Sequence, residues 1–296
     1  MDGDNRQDGE RKDRRWERAD RFLRESREQR LQRFKAIPIR FLLPNIITLL
    51  ALCSGITAIR LGVDGRFELA VGAVIVAVVL DAIDGRVARL LKGQSRFGAE
   101  LDSLADFVNF GVTPALLLHI WSLHVLKNLG WIVCLCLAIC CALRLARFNV
   151  MATDPDRPAW MSSYFTGIPA PAGAGLAMAP MYVGFLGFDL TGKPAAFAIA
   201  LWVAFVAVGM VSRMPTFSGK TLGQRVQREM VLPIIAAVVI AIVLLIGFTW
   251  EMLTVFALAY VAMLPFGVRS YNRQKAAWKA RKAEGASPKP SGAPAA

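Results

Sequence analysis

The sequence predicts an all-α polytopic membrane protein, a helical bundle of about eight transmembrane helices with both termini in the cytoplasm. Of its 296 residues, 55% are hydrophobic and 19% are charged, and the mean hydropathy is +0.44. A soluble globular domain is less apolar and carries more charge than this. Apolar runs of about 20 residues recur between Phe41 and Val268, and each run is long enough to cross about 30 Å of hydrocarbon.

Taken in order, the apolar runs predict the individual helices. They cover residues 41–63, 66–92, 98–122, 127–150, 169–188, 194–212, 230–248 and 251–269. The connections on the side of the termini carry eleven Lys or Arg residues, against four on the opposite side. Because basic connections stay in the cytoplasm, this asymmetry places the termini there, together with the long connections at 144–168 and 212–229.

The two ends of the chain are polar and basic, and we expect them to flank a membrane-embedded domain at 41–269. Residues 1–40 carry 13 Lys or Arg and 9 Asp or Glu. This composition fits either a cytoplasmic interfacial helix or a solvated arm. Residues 270–296 are rich in Lys and Arg and end in a Gly, Ala, Ser and Pro sequence with nothing to bury, which predicts a disordered tail.

The net charge of +13 invites a nucleic-acid interpretation. Most of the basic surplus lies in the two ends, where it holds the chain at an anionic cytoplasmic leaflet. No aromatic-rich basic sheet and no zinc-finger spacing accompany it. The five cysteines all lie inside apolar runs, and we interpret them as small buried residues. We therefore expect membrane lipids as partners and no nucleic acid.

Two predicted helices carry acidic residues at membrane depth, where an ionisable side chain indicates function. Asp81 and Asp84 are three residues apart, and Asp102 and Asp106 are four apart, so each pair projects from one helical face. The short link at 91–97 makes the two helices antiparallel neighbours. The four carboxylates therefore face one another at similar depth.

Four clustered carboxylates need compensation, so they either take up protons or bind cations. Carboxylate oxygens suit Mg²⁺ or Mn²⁺. We therefore predict a site for two such ions, which neutralise the charge of phosphate oxygens. Gly85 and Gly98 let a nucleotide or diphosphate approach the backbone, and Ala88 keeps the same face open. Arg89 adds a cation suited to phosphate recognition.

The residues from Asp81 to Asp106 follow a fixed order. It reads Asp-x-x-Asp-Gly-x-x-Ala-Arg, then eight residues, then Gly-x-x-x-Asp-x-x-x-Asp. This order resembles the signature of the CDP-alcohol phosphotransferases. The resemblance implies a membrane-embedded helical fold, two divalent metals held by the aspartates, and displacement of CMP from a CDP-linked lipid by an alcohol. It implies that Asp106 is the general base. It also implies that the metal ligands are Asp81, Asp84, Asp102 and Asp106.

The segment from Pro44 to Thr48 resembles the start of many family members, where Asn and Thr help to hold the cytidine nucleotide. The resemblance therefore implies that the CDP-lipid is bound by Asn45, Thr48, Asp84, Gly85, Ala88, Arg89 and Gly98. The stretches at 102–115, 144–149, 165–171 and 211–217 look like bacterial membrane-integral phosphatidylserine synthases. Asn109 stands where that subfamily leads us to expect Ser.

The subfamily resemblance implies transfer of the phosphatidyl group of CDP-diacylglycerol to L-serine, in a homodimer of the bacterial inner membrane with its active site near the cytoplasmic face. A serine carboxylate needs a cation, and Arg144, Arg147 and Arg213 lie at helix ends on the cytoplasmic side. Equally, these arginines could be anchors that touch lipid phosphates. Alternative acceptors are glycerol 3-phosphate, an inositol phosphate or choline, and a carboxylate-gated transporter is the non-enzyme alternative.

Overall fold

The computed structural model describes residues 39–93, 95–152, 164–212, 214–217 and 228–285. These ranges are almost entirely helical. The helices are α1 (Ile39–Val63), α2 (Phe67–Leu90), α3 (Arg96–Phe107), α4 (Thr113–Trp121), α5 (Asn128–Ala152), α6 (Ala170–Ala177), α7 (Ala179–Phe185), α8 (Gly192–Val211), α9 (Arg228–Gly247) and α10 (Thr249–Gly285). A π-turn at Val108–Val112 joins α3 to α4, and a 3₁₀ turn at Leu123–Leu126 leads to α5.

Five helices in the described ranges are long and apolar enough to cross a membrane. They cover Leu42–Val63, Arg96–Trp121, Asn128–Met151, Gly192–Val211 and Thr249–Gly267. The α2 helix has 24 residues and is long enough to span. It is not among these five candidates, because its acidic and basic side chains make it less apolar. The helical architecture with several candidate membrane spans is therefore confirmed, whereas the count of eight spans and the cytoplasmic side of the termini stay predictions.

The helix predicted at 169–188 is divided into α6 and α7. Pro180 has no backbone N–H, so it cannot donate to the carbonyl of Leu176 four residues earlier. The indole Nε1 of Trp202, on α8, donates to that carbonyl at 2.7 Å instead. A side chain from another helix thus satisfies the acceptor that the break leaves unpaired.

The core lies where α4, α5 and α8 meet the π-turn. Its largest fully buried side chains include Phe110, Leu117, Leu137 and Met210. Small residues allow α1 and α2 to approach each other closely. At their contact, the Ser54 hydroxyl of α1 donates to the Ala73 carbonyl of α2 at 2.8 Å. The acidic helix α2 is therefore held firmly against α1.

Two short strands, β1 (Tyr164–Thr166) and β2 (Pro215–Phe217), pair antiparallel. The Gly167 N–H extends the pairing by donating to the Met214 carbonyl at 2.8 Å. Gly167 has a φ of +78°, a conformation that favours glycine. This sheet, which the all-α prediction lacks, ties the segment before α6 to the segment after α8.

The tail predicted to be disordered at 270–296 differs from the structure up to Gly285, because α10 continues to that residue. The residues added beyond the apolar span are mostly Ala, Lys, Arg and Gln, which are strong helix formers. A helix that is already formed extends at little cost, since only its first turn requires nucleation. Residues 1–38, with the predicted N-terminal surface helix, and 286–296 lie outside the described residues.

Candidate active site

The link between α2 and α3 brings the two acidic helices side by side. In this turn Lys92 takes a positive φ of 50°. The Ser95 hydroxyl then accepts the Gly98 backbone N–H at 2.9 Å and caps α3. Serine suits this position because it satisfies a backbone donor at the start of the helix.

Three of the four predicted aspartates form one cluster. One carboxylate oxygen from each of Asp81, Asp102 and Asp106 lies within 4.8 Å of the other two. Asp81 belongs to α2, and the other two lie one turn apart on α3. Three negative charges so close together require a cation or a proton. Since the donors are all oxygen atoms, the cluster fits a hard divalent cation such as Mg²⁺ or Mn²⁺.

Asp84 lies beside this cluster in a different environment. Its side chain is 3% exposed, and the Thr48 hydroxyl of α1 donates to Asp84 Oδ2 at 2.6 Å. The charge of Asp84 also interacts with that of Asp102. Asp84 therefore connects the acidic face to α1, and Thr48 fixes the orientation of its carboxylate.

A cavity of about 220 Å³ lies between α1, α2 and the start of α3. Every residue that the sequence predicts to bind the CDP-lipid lines it: Asn45, Thr48, Asp84, Gly85, Ala88, Arg89 and Gly98. Asp102 lines the same cavity. The cavity is therefore continuous with the carboxylate cluster.

The two signature glycines contribute differently to the cavity. At Gly98 an added Cβ would lie 2.9 Å from Asn45 Oδ1. Because Gly98 has no side chain, the Asn45 side chain can pack against the start of α3. At Gly85 an added Cβ would meet, among the described residues, only Arg89 Nη1, at 3.9 Å. Gly85 therefore opens the α2 backbone to the cavity, whereas Gly98 allows close packing.

Asp106 lies farther along α3 than Asp102 and within hydrogen-bond reach of Asp81. Its buried Oδ1 accepts no hydrogen bond from a donor group of the described residues. The guanidinium of Arg144, on α5, interacts electrostatically with the Asp106 carboxylate. Arg144 is 9% exposed, and its guanidinium carbon lies 6.0 Å from the centre of the Phe148 ring. A buried cation therefore lies beside the predicted base.

The other two predicted arginines have different positions. Arg147 donates to the Val211 carbonyl at 2.5 Å and so satisfies an acceptor at the end of α8. Arg213 lies outside the described residues. Of the three arginines, the structure places Arg144 beside the acidic cluster.

Four further residues line the cavity without belonging to the predicted site. They are Pro44, Gly93, Ser95 and Ala99. The sequence carries a signal for Ser95, since a serine just before a helical pattern is a typical N-cap. Pro44 opens the segment on α1 that carries the family resemblance, whereas only the packing of the helices brings Gly93 and Ala99 to the cavity.

The family comparisons agree with this site. A family model described as CDP-alcohol phosphatidyltransferase matches residues 41–211, and one described as CDP-alcohol phosphatidyltransferase 2 matches residues 229–265. A CDP-diacylglycerol–serine O-phosphatidyltransferase of Mycobacterium tuberculosis is 36% identical over 234 residues, which cover 77% of this chain and 79% of that protein.

Shorter matches come from two other organisms. A Helicobacter pylori protein of the same name is 38% identical over 138 residues, covering 47% of this chain and 56% of that protein. An archaetidylserine synthase of Methanothermobacter thermautotrophicus is 32% identical over 175 residues, covering 57% of this chain and 67% of that protein. The first family model covers more than half of the chain and includes all four aspartates and the cavity. The chain belongs to the CDP-alcohol phosphatidyltransferase family.

Proposed function

We propose that this protein transfers the phosphatidyl group of CDP-diacylglycerol to the hydroxyl of L-serine, with phosphatidylserine and CMP as products. The observation that carries the proposal is one cavity, lined by all seven predicted CDP-lipid residues, that opens onto a cluster of three carboxylates. The names of the bacterial relatives favour serine as the acceptor.

In this proposal the cavity holds the cytidine diphosphate end of the lipid. Asn45 and Thr48 lie on α1 and Arg89 on α2, at its wall. The Arg89 guanidinium binds phosphate oxygens through paired N–H donors. Gly85 leaves room for the diphosphate to contact the backbone, since Arg89 is the one described residue that an added Cβ there would meet.

The four aspartates hold two divalent cations, Mg²⁺ or Mn²⁺, in the proposed enzyme. Bound there, such ions supply charge neutralisation and polarisation of the phosphate oxygens. Asp81, Asp102 and Asp106 offer carboxylate oxygens within 4.8 Å of one another, and Asp84 adds a fourth carboxylate oriented by Thr48.

Asp106 is the proposed general base. The serine hydroxyl loses its proton to Asp106 as its oxygen bonds to the phosphorus attached to diacylglycerol. The bond from that phosphorus to CMP breaks, and CMP leaves with the electron pair. The Asp106 carboxylate lies within hydrogen-bond reach of Asp81, and its Oδ1, which accepts no hydrogen bond from a donor group of the described residues, is the buried oxygen that can take the proton.

Arg144 is the proposed partner of the serine carboxylate. Its guanidinium is buried and interacts with Asp106, so an acceptor held there has its hydroxyl near the base. Arg147 already donates to a backbone carbonyl and is the weaker candidate. Arg213 remains a candidate from the sequence.

The membrane arrangement belongs to the same proposal. Eight spans put both termini and the active site at the cytoplasmic face of a bacterial inner membrane, and the protein acts there as a homodimer. The basic surplus of the cytoplasmic connections supports this orientation.

The decisive experiment incubates the purified protein with CDP-diacylglycerol, Mg²⁺ or Mn²⁺, and labelled acceptors. We expect CMP release that depends on L-serine and a labelled phosphatidylserine product. Preference for glycerol 3-phosphate, an inositol phosphate or choline would reject the serine assignment. Absence of CMP release with every acceptor would favour the transporter instead.

A further inference from the structure

Polar atoms without a hydrogen-bond partner in the described part of the chain are buried at Asp106, at Asn109 three residues later, and at Arg144, whose charge interacts with that of Asp106. They are Oδ1 of Asp106, both amide atoms of Asn109, and Nε of Arg144. Buried polar groups without partners destabilise a fold. Their concentration around the acidic cluster indicates that a polar ligand completes their hydrogen bonding.

Asn109 is the most deeply buried of the three, at 1% exposure. It lies three residues after Asp106, in the π-turn between α3 and α4, and π-turns often mark functional sites. Its carboxamide lies against Gly55 of α1, where any side chain would overlap with it. Gly55 therefore makes room for a buried amide that none of the described residues satisfies.

L-Serine carries three polar groups on adjacent carbons. In the proposed function the hydroxyl faces Asp106 and the carboxylate binds Arg144, which leaves the α-ammonium group without an assigned partner. An ammonium group only donates hydrogen bonds, so it needs an acceptor oxygen. A carboxamide has such an oxygen, and a half-turn of its last side-chain bond exchanges the oxygen and the NH₂ group.

We propose that Asn109 determines specificity for the acceptor, because its carbonyl oxygen accepts a hydrogen bond from the α-ammonium group of an amino acid. This inference rests on the proposed function and identifies the α-ammonium group as the part of serine that the site recognises. It assigns a role to Asn109, which stands where the subfamily resemblance leads us to expect Ser.

The test crosses three acceptors with three variants. The acceptors are L-serine, 3-hydroxypropionate, which lacks the ammonium group, and ethanolamine, which lacks the carboxylate. The variants are Asn109→Leu, Asn109→Asp and the control Asn128→Leu, an exposed position at the start of α5. Each is assayed for kcat/KM from CMP release, for inhibition of serine turnover by the two analogues, and for CDP-diacylglycerol binding.

We expect Asn109→Leu to lower kcat/KM for L-serine and for ethanolamine by about 10- to 100-fold, the loss of a hydrogen bond to a charged group. The value for 3-hydroxypropionate should change less than about threefold. Asn109→Asp keeps the size of the side chain and should strengthen the preference for serine over the anionic 3-hydroxypropionate. Asn128→Leu should leave all three acceptors unchanged.

Equal losses with all three acceptors would overturn the inference and make Asn109 a positioning residue for Asp106. An unchanged preference in Asn109→Asp would overturn it too, and this arm remains decisive if the Leu variant does not fold. The two proposals fail in different ways. Wild-type protein that releases no CMP with serine refutes the proposed function, whereas normal serine turnover with no shift in preference refutes only the role of Asn109.

Discussion

Replacing Thr48 by Val should lower kcat/KM for CDP-diacylglycerol without changing the shape of the site. Thr48 is 4% exposed, and its hydroxyl donates at 2.6 Å to Asp84, which is 3% exposed. Val has nearly the same volume, so the change removes one donor and leaves a buried carboxylate oxygen unpaired. A hydrogen bond to a charged group contributes about 1.5–3 kcal/mol. That range corresponds to a fall of about 10- to 100-fold in kcat/KM for CDP-diacylglycerol, since about 1.4 kcal/mol is tenfold.

The assay measures CMP release over a range of CDP-diacylglycerol concentrations at saturating serine. Thr48→Ser keeps the hydroxyl and should recover most of the activity. Thr57→Val is the matched control on the same helix, because the exposed Thr57 hydroxyl bonds the Cys53 carbonyl of its own helix at 2.7 Å. Thr57→Val should stay within about twofold of wild type. If Thr48→Val and Thr57→Val have the same activity, the reasoning about Asp84 is refuted.

Four further outcomes are expected. Excess EDTA should abolish CMP release and Mg²⁺ or Mn²⁺ should restore it, with Asp102→Ala losing at least about 100-fold; full activity in EDTA would reject the metal cluster. Asp106→Asn should bind CDP-diacylglycerol but lose turnover, and a rate within about tenfold of wild type would assign the base elsewhere. Arg144→Lys should raise the KM for serine far more than that for CDP-diacylglycerol, because a point charge replaces a bidentate donor; equal increases would remove Arg144 from the acceptor site. Trp202→Phe should lower the free energy of unfolding by about 1–3 kcal/mol by leaving a buried carbonyl unpaired, and an unchanged thermal melt would contradict that role.

The convergence of the aspartates could be predicted because it depends on short-range geometry. A spacing of three or four residues fixes a helical face, and the link of a few residues fixes which helices are neighbours. The part of the cavity on α2 and at the start of α3 followed from the same local pattern, and this part needs no knowledge of distant packing. Asn45 and Thr48, on α1, followed instead from the resemblance to the family.

Other features depend on contacts between residues far apart in the sequence. The Thr48 hydroxyl finds Asp84, 36 residues later, and the Trp202 indole satisfies a carbonyl of α6, 26 residues earlier. Neither pairing leaves a periodic pattern in the sequence. The apolar composition continues through Pro180, so the sequence predicts one helix where the structure has two. The basic composition of the C-terminal segment predicts a disordered tail, because composition alone does not show that the preceding helix, α10, can continue into it.

The π-turn at Val108–Val112 sets the phase between two halves of one span. A helix advances about 100° per residue, so the extra residue of a π-turn rotates everything after it relative to everything before it. The aspartates of α3 can therefore face α2 while Leu117 and Leu118, fully buried on α4, face the core. Deleting one residue of the turn would keep both halves helical, but it would rotate the acidic face and the apolar face out of register by about 100°. The span thus carries its chemistry and its packing on two separately oriented faces.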